Sequence, residues 1–584
     1  MEGNASTRGA AGLAFLAALL VFFGGCAGGS SSPPPPPPNI VLQSIVPTFV
    51  VAGAGNTTLN VNGTGFTSSS VVYWNSTALS TSFGSSANMQ ATIPASLLAQ
   101  PGAAQITVKD SSVTSNALPF SVASQAATVA GVIALVTAAP DGSPANGDTA
   151  SGNTPAISAT GRYVAFQSLA TNLAAGTNTS GFAEIFERDT CIGAPSGCTP
   201  STWRITITSD GSPVNANSFR AAISADGRYV AFDTLATNIL PNTLSGSTFL
   251  RDTCTGVSSG CTPSTTLIST TVNGTPAGGG EPTMTPDGRF VGFSSTGTAP
   301  GIHNVYIRDT CNGALSGCTP STTLISAAPD GSLGNQNGGP QAISANGRFV
   351  AFASWANNLV STPTGGYNHV YWRDTCIGTV SGCTPNTVMV DVSNSGAAAN
   401  QSFDSFGDNV PPISGDGRVV AFSTNGTNLV SQSVMGFGNT YVHDTCNGVS
   451  SGCTPSTSLA SLANDGSIAN QGSNNEAMSA DGRFVAFASL ASNLVPGDTF
   501  APAAWKDIFV RDTCFNAPMG CVPNTVRVSV TNTPNPQTES NAISDYPAIS
   551  ADGHYIVFLS AATNFLPGVT GNGHTMVYLA KTGF

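Results

Sequence analysis

The sequence predicts an all-β chain: an immunoglobulin-like sandwich, then a seven-bladed β-propeller of four-stranded blades closed by an N-terminal strand. Three observations support this prediction. A motif of Gly, usually Arg, an aromatic residue and Val-Ala-Phe recurs seven times from residue 157 onward. Short β-branched and aromatic segments alternate with Gly, Asn and Asp turns throughout, and no helical periodicity interrupts them. A strand-like segment before the first copy matches the last strand that the seventh copy lacks.

Residues 1–25 are predicted to be a lipoprotein-type signal peptide. Arg8 precedes an apolar run at residues 10–23, which is too short to span a bilayer as a helix. The following Gly24-Gly25-Cys26 resembles a bacterial lipobox, although Phe23 occupies the usual leucine position. The resemblance implies that Cys26 carries a lipid anchor at the outer membrane. The alternative is an ordinary cleaved signal followed by a stray cysteine.

Residues 26–38 form a linker in which Gly and Ser precede six consecutive prolines, a composition typical of an extended spacer. Residues 39–122 then show short alternating strands split by Gly and Asn turns, which predicts an immunoglobulin-like sandwich. This unit resembles the IPT/TIG family through Ile45-Val46-Pro47, the run VNGTGF at residues 61–66, and Ile93-Pro94-Ala95. The resemblance implies a spacer or a protein-contact module and no catalysis.

The repeats occupy residues 131–584, and each copy predicts four antiparallel strands. In the clearest copy these lie at residues 221–224, 229–233, 247–251 and 265–270. Asp226-Gly227 supplies the tight turn between the first two strands, since both residues tolerate positive φ. Residues 131–138 match a fourth strand, and the seventh copy ends after three strands, so the two chain ends complete one blade.

The repeats resemble the PD40, or TolB-like, family. The resemblance rests on the run SADGR at residues 224–228, on VAF at residues 230–232, and on Arg251-Asp252. TolB itself has six blades and an α/β domain, whereas this chain has seven repeats and a sandwich. A TolB-type partner is therefore not carried over.

Twelve of the thirteen cysteines form six pairs with identical C-x6-C spacing. Each pair brackets the turn between the third and fourth strands, where hairpin ends lie near disulfide distance, so we expect six local disulfides in an exported protein. Metal binding is the alternative, but two cysteines without a nearby histidine fall short of a tetrahedral set. The pairs are Cys191 with Cys198, Cys254 with Cys261, Cys311 with Cys318, Cys376 with Cys383, Cys446 with Cys453, and Cys514 with Cys521.

Composition narrows the range of partners. Only 8% of residues are charged and the net charge is −12, which argues against nucleic acid as a ligand. Eleven of the fifteen arginines occupy two repeat positions, represented by Arg228 and Arg251, so a structural hydrogen bond to a motif aspartate such as Asp252 is expected.

No catalytic centre, metal site or cofactor is predicted. Residues 256–260 and 448–452 match G-x-S-x-G, but both lie in the cysteine-bracketed turns and neither opens a helix. Asp498 and Asp507 hint at calcium, although the other repeats lack a matching set. The five histidines occupy unrelated repeat positions, and we expect them to be structural.

Binding residues are expected where the repeats differ, on the face formed by the loops between blades and between the second and third strands. We expect a cell-envelope lipoprotein that contacts the membrane only through its lipid and binds an envelope protein or glycan. Ala27, and no Asp, follows Cys26, which by the usual Gram-negative sorting pattern implies the outer membrane. A propeller-type polysaccharide lyase or hydrolase and a purely structural component remain the alternatives. The candidate residues on this face are Arg220, Glu281, Gln341, Trp355, Asn475, Glu476 and Tyr546.

Overall fold

The chain is described by a computed structural model. Among the described residues the regular structure is all β, apart from a 3₁₀ turn at Ala95–Leu97. The predicted signal peptide, Cys26 and the linker lie outside these residues. The described residues are 40–47, 49–51, 55–100, 102–111, 113–123, 133–149, 153–174, 181–208, 210–297, 301–314, 317–379, 382–404, 409–496, 498, 505–518, 520–532, 538–569 and 573–584.

The N-terminal unit is a sandwich of two sheets. Alternate residues of its strands point inward, and Leu59, Val61, Val72, Met89 and Ile106 are fully buried between the sheets. One sheet has the order β1 (Val41–Val46), β3 (Thr57–Thr64), β7 (Asn88–Ile93) and β6 (Ser80–Ser85). The other contains β2 (Phe49–Val51), β10 (Leu118–Ala123), β8 (Gly102–Asp110), β4 (Val71–Trp74) and β5 (Thr77–Ala78), with β9 (Val113–Thr114) beside β8.

The repeats form seven further sheets, which we number as blades 1 to 7. Blade 1 comprises β12 (Ala156–Ile157), β13 (Tyr163–Ser168), β14 (Glu184–Asp189) and β15 (Ser201–Arg204). Blade 2 comprises β16 (Ser218–Ile223), β17 (Tyr229–Thr234), β18 (Ser247–Asp252) and β19 (Ser264–Leu267). Blade 3 comprises β20 (Gly280–Met284), β21 (Phe290–Ser295), β22 (Asn304–Asp309) and β23 (Ser321–Leu324). Blade 4 comprises β24 (Gly338–Ile343), β25 (Phe349–Ser354), β26 (His369–Asp374) and β27 (Asn386–Met389). Blade 5 comprises β28 (Val419–Thr424), β29 (Asn439–Asp444) and β30 (Ser456–Leu459). Blade 6 comprises β31 (Ser473–Met478), β32 (Phe484–Ser489), β33 (Asp507–Asp512) and β34 (Asn524–Arg527).

Blade 7 joins the two ends of the repeat region. It comprises β35 (Ser544–Ile549), β36 (Tyr555–Ser560), β37 (Met576–Lys581) and, from the N-terminal side, β11 (Ile133–Leu135). Strand β11 pairs antiparallel with β37, where Ile133 faces Ala580. The predicted closure of the ring by an N-terminal strand is therefore confirmed.

A ring of backbone hydrogen bonds links the hairpin turns of successive blades. The amide of Ala225 donates to the carbonyl of Pro286 at 2.8 Å, and the amide of Ala551 in blade 7 donates to Ala159 in blade 1 at 3.1 Å. Six blade-to-blade bonds of this kind occur, and the seventh is missing where Pro286 has no N–H to donate. The inner ends of the blades are thus joined directly through the main chain.

The motif glycine fits each blade against the one before it. Gly227 has φ of +79°, and a Cβ atom there would lie 2.3 Å from the ring of Tyr163 in blade 1. The same close approach recurs around the ring, for example between Gly347 and Phe290. A side chain at this position would collide with the aromatic residue of the motif, which explains why both are kept in nearly every repeat.

Blade 5 departs from the four-stranded pattern. In the described residues on either side of 405–408, two isolated bridges stand in place of a first strand: Phe403 with Thr424 and Ile413 with Val420. Pro411 and Pro412 stand where the other repeats have strand residues, and proline cannot donate to a ladder. The sequence motif alone did not reveal this loss.

Candidate binding face of the propeller

The antiparallel strand order gives the propeller two distinct faces. The Asp-Gly hairpin turns and the disulfide loops lie at one end of the blades, which we call the turn face. The loops between blades and those between second and third strands lie at the other end, which we call the loop face. First strands of adjacent blades contact each other and surround the central channel.

The turn face is built from a repeated polar cluster. Arg228 donates to both carboxylate oxygens of Asp252, at 2.9 and 2.7 Å, and Asp252 also accepts the amide of Cys254 at 2.9 Å. Burial alone would raise the pKa of Asp252, but these hydrogen bonds lower it below its ordinary value. The same Arg–Asp pair occurs in blades 1 to 6, so the predicted structural role of the motif arginines is confirmed.

All six predicted disulfides are present, with Cα–Cα distances of 5.7 to 5.8 Å. Because their sulfur atoms are oxidised, these cysteines cannot serve as thiolate ligands, although each pair lies beside an aspartate. Disulfides of this density indicate an extracellular or periplasmic protein.

The second motif arginine links neighbouring blades. Arg188 donates to Thr202 of its own blade at 2.9 Å and to the carbonyl of Ala138 at 2.8 Å, on the segment that follows β11. In blade 5 a histidine replaces it, and His443 bonds Thr457 at 2.9 Å. Burial lowers the pKa of His443 to about 4, so this histidine is neutral at pH 7.

The loop face exposes most of the large apolar side chains that the described part of the propeller leaves in solvent. Trp355 is 41% exposed and Trp505 is 40% exposed. Among the described residues of this class, the turn face exposes Val257 and Val449, and Val388 lies on an outer strand. Val272 follows a fourth strand, in a segment that contacts the outer strands of the next blade through the Thr270–Thr322 hydrogen bond. The eight residues on the loop face are Leu169, Phe182, Leu235, Leu244, Trp355, Met435, Trp505 and Ile543. Apolar side chains exposed mainly on one face favour an interaction surface there.

The candidate residues predicted from sequence are not all presented to solvent. Trp355 is open, whereas Arg220 is partly covered and forms an ion pair with Asp233 at 3.6 Å. Glu281 is partly buried, and its Oε2 atom is covered. Tyr546 is also partly buried and packs near the core of blade 7. Of these four, Trp355 offers the largest free surface.

Gln341, Asn475 and Glu476 are buried in the channel wall. Gln341 donates to the carbonyl of Glu281 at 2.7 Å, and Asn475 donates to Asp545 at 2.7 Å. The first strands carry β-bulges here, and Asn475 has φ of +55°. A bulge re-aims the side chains that follow it, which a regular alternation cannot predict.

His369 is fully buried and forms a pair with Asp391 at 2.7 Å, while its other ring nitrogen lies 2.8 Å from the carbonyl of Thr364. Burial would lower its pKa, but Asp391 and the Thr364 carbonyl raise it above the ordinary value. Both ring nitrogens thus face an oxygen acceptor, and burial raises the pKa of the partner carboxyl of Asp391 as well. In blade 3, Asn304 and Ser326 hold the same positions as a neutral pair, 2.8 Å apart.

Two further acidic groups are buried in the propeller. Glu187 occupies a position where blade 2 has Leu250, and burial raises its pKa to about 8, although Trp203 donates to it at 3.2 Å. Asp498, which hinted at calcium, instead accepts a hydrogen bond from Arg527 at 2.9 Å. Arg527 also donates to Glu539, so the buried guanidinium group of Arg527 already balances the charge of Asp498 and Glu539.

Sequence reasoning missed Trp505, Met435, Leu244 and Phe182 as surface residues. Phe182, Leu244 and Met435 are large apolar residues in or beside loops rich in Gly, Ser, Thr and Asn, whereas Trp505 follows the run APAA. That contrast is a usable signal, because such loops have no core to receive the side chain. Alignment of the repeats instead selected residues of the first strands, which line the channel.

Comparisons with known proteins give one family match and several structural neighbours. Residues 41–122 match the model of the IPT/TIG domain family. No curated protein matches the chain. Solved structures with a similar arrangement include the β-propeller domain of the Trilobed protease from Pyrococcus furiosus, at 10% identity and a TM-score of 0.35, with 71% of this chain and 92% of that chain covered.

Two other similar structures have comparable scores. A structure described as a TolB from Agrobacterium tumefaciens shows 13% identity and a TM-score of 0.31, covering 65% of this chain and 94% of that chain. An auxiliary nutrient binding protein from Bacteroides ovatus shows 11% identity and a TM-score of 0.30, covering 93% and 97%. In the described residues, no helix is long and apolar enough to cross a membrane. Residues 41–122 match the IPT/TIG domain family, and in this chain they precede repeats that form a seven-bladed β-propeller.

Proposed function

We propose that this protein is a lipid-anchored component of the cell envelope, attached through Cys26, whose propeller binds or scaffolds an envelope protein or glycan. The observation that carries the proposal is the unequal distribution of exposed apolar side chains. Among the described residues, eight lie on the loop face, including the exposed tryptophans Trp355 and Trp505, against two on the turn face. Aromatic side chains of this kind are common anchors for protein partners and stack on sugar rings.

The turn face supports the same proposal by contrast. Its Arg–Asp pairs and disulfides are repeated from blade to blade and are engaged with one another. A surface whose polar groups are already paired gains little from a partner. The loop face varies between blades and is held by this rigid base, which suits a recognition surface.

An enzyme of the polysaccharide lyase or hydrolase class is the second candidate. Its supporting observation is that Asp404 and Glu476 lie near each other in the channel wall. However, both carboxylate oxygens of Glu476 are covered from solvent, so a glycan in the channel could not reach them. We therefore favour binding over catalysis.

The test is retention of envelope material on the immobilised chain, followed by mass spectrometry of what is retained and of what flows through. Binding predicts one or a few intact proteins or glycans on the wild-type chain. Shortened polysaccharide in the flow-through, with nothing retained, would contradict binding and favour the hydrolase or lyase. A chain that neither retains nor cuts anything would favour a purely structural role.

A further inference from the structure

Buried oxygen atoms without a hydrogen-bond donor gather in the channel wall of blades 5 and 6. They are the side-chain carbonyl oxygens of Asn409 and Asn474 and both carboxylate oxygens of Glu476. Asn409 is 2% exposed and Glu476 is 6% exposed. Buried polar atoms are nearly always paired, so several orphaned acceptors in one place call for a ligand that the protein itself does not supply.

Shared neighbours tie these side chains into one cluster. Asn474 donates its amide hydrogen to Asp404 Oδ2 at 3.0 Å, and Asn409 donates to Ser423 Oγ at 3.0 Å. Ser423 is also the polar neighbour of the Glu476 carboxyl, although no hydrogen bond of good geometry reaches its oxygens. The amide nitrogens are thus engaged, and it is the oxygens that remain unpaired.

The cluster holds two acidic groups. Burial raises the pKa of Glu476 to about 8, and the charge of Asp404 adds to the effect, so Glu476 is mostly protonated at pH 7 when no cation is bound. A bound cation would displace this proton, and both groups would then be carboxylates. Lys506, also in blade 6, is paired with Asp545 at 2.8 Å, so its charge is already compensated. The Asp498 group differs, because Arg527 supplies a positive charge there.

We propose that Asp404, Asn409, Asn474 and Glu476 bind a divalent cation of the calcium class between blades 5 and 6. Two carboxylates balance two positive charges, and amide carbonyl oxygens complete an all-oxygen set. Calcium accepts six to eight such oxygens in irregular geometry, whereas magnesium requires a near-ideal octahedron. The cation would also join the two blades where the described residues of blade 5 form two isolated bridges instead of a continuous first strand.

The test is thermal unfolding of the purified full chain after chelator treatment, in increasing calcium and, separately, in magnesium. A cation that binds only the folded state raises Tm in proportion to the logarithm of its concentration. We expect such a rise for calcium, a weaker one for magnesium, and none in Glu476→Gln or Asp404→Asn. Asp498→Asn is the matched control and should keep the full calcium response.

Equilibrium dialysis with calcium gives a second measurement that does not depend on stability. The wild-type chain should retain calcium, and Glu476→Gln, which keeps the size of the side chain, should retain at least tenfold less at equal free calcium. The proposal is overturned if the wild-type chain neither binds calcium nor gains stability from it. It is equally overturned if calcium binding survives in Glu476→Gln or is lost only in Asp498→Asn.

Discussion

Replacing Gly227 with alanine tests the contact that fits blade 2 against blade 1. Gly227 has φ of +79°, and its new Cβ atom would lie 2.3 Å from Cδ2 of Tyr163, well inside van der Waals contact. The left-handed backbone costs an alanine about 1–2 kcal/mol. Overpacking against the ring adds about 1–3 kcal/mol. The free energy of unfolding should therefore fall by roughly 2–5 kcal/mol.

Gly256 provides the matched control for this variant. It has nearly the same φ, +78°, but no atom lies within 4 Å of the position that its Cβ would take. Gly256→Ala should therefore cost only the backbone term, about 1–2 kcal/mol. The assay is urea denaturation followed by tryptophan fluorescence, with the midpoints of the two variants compared.

The difference in urea midpoint between Gly227→Ala and Gly256→Ala measures the cost of the contact with Tyr163. Gly227→Ala should be less stable than Gly256→Ala. Replacing Tyr163 with alanine removes the Cδ2 and Cγ atoms that would lie 2.3 and 2.4 Å from the new Cβ, and it should remove most of that difference. Equal midpoints for the two glycine variants would refute the proposed packing between blades. So would an unchanged difference in the Tyr163→Ala background.

Three further perturbations have defined outcomes. Replacing Cys254 and Cys261 with alanine opens a short loop and should lower stability by about 2 kcal/mol, seen as a lower urea midpoint under oxidising conditions. Dithiothreitol should lower the midpoint of this variant less than that of the wild type, because the variant has five disulfides left to reduce. The His369–Asp391 pair should stabilise the fold fully below the unfolded pKa of His369, about 6.5, and this stabilisation should be lost as pH rises through the raised folded pKa. The double variant His369→Asn with Asp391→Ser introduces the neutral pair of blade 3. A profile of Tm against pH should no longer show that decline in the double variant. Because the pKa of Glu187 is raised to about 8 in the folded protein, the wild type should lose a few kcal/mol of stability between about pH 4.5 and pH 8. Glu187→Gln should show no such loss when the free energy of unfolding is measured by denaturation at both pH values.

Much of the fold could be predicted from the sequence because its signals are local and repeated. The Asp226-Gly227 turn, the alternation around Phe232 and the C-x6-C pairs each depend on neighbours in sequence, and repetition removes their ambiguity. Closure of the ring was predictable because the last repeat has three strands and one strand precedes the first repeat. Blade 5 was harder to predict, because Pro411 and Pro412 remove a strand without changing the motif that follows.

The site was less predictable, since exposure is a long-range property. Asn475 and Glu476 vary between repeats as surface residues do, yet β-bulges bury both in the channel wall. Arg220 appears free in the sequence but forms an ion pair with Asp233 across its own blade. Trp355 was recognisable because an aromatic residue directly after a strand has no place in the core.

The most direct test of the central claim is the retention experiment repeated with variants of the two faces. Trp355→Ser with Trp505→Ser removes the two tryptophans of the loop face, and Val257→Ser with Val449→Ser makes a matched change on the turn face. If the loop face binds, the first pair should reduce the amount of retained ligand at least tenfold, and the second should leave it unchanged. Equal retention by both pairs, or loss only in the turn-face pair, would contradict the assignment of the loop face as the binding surface.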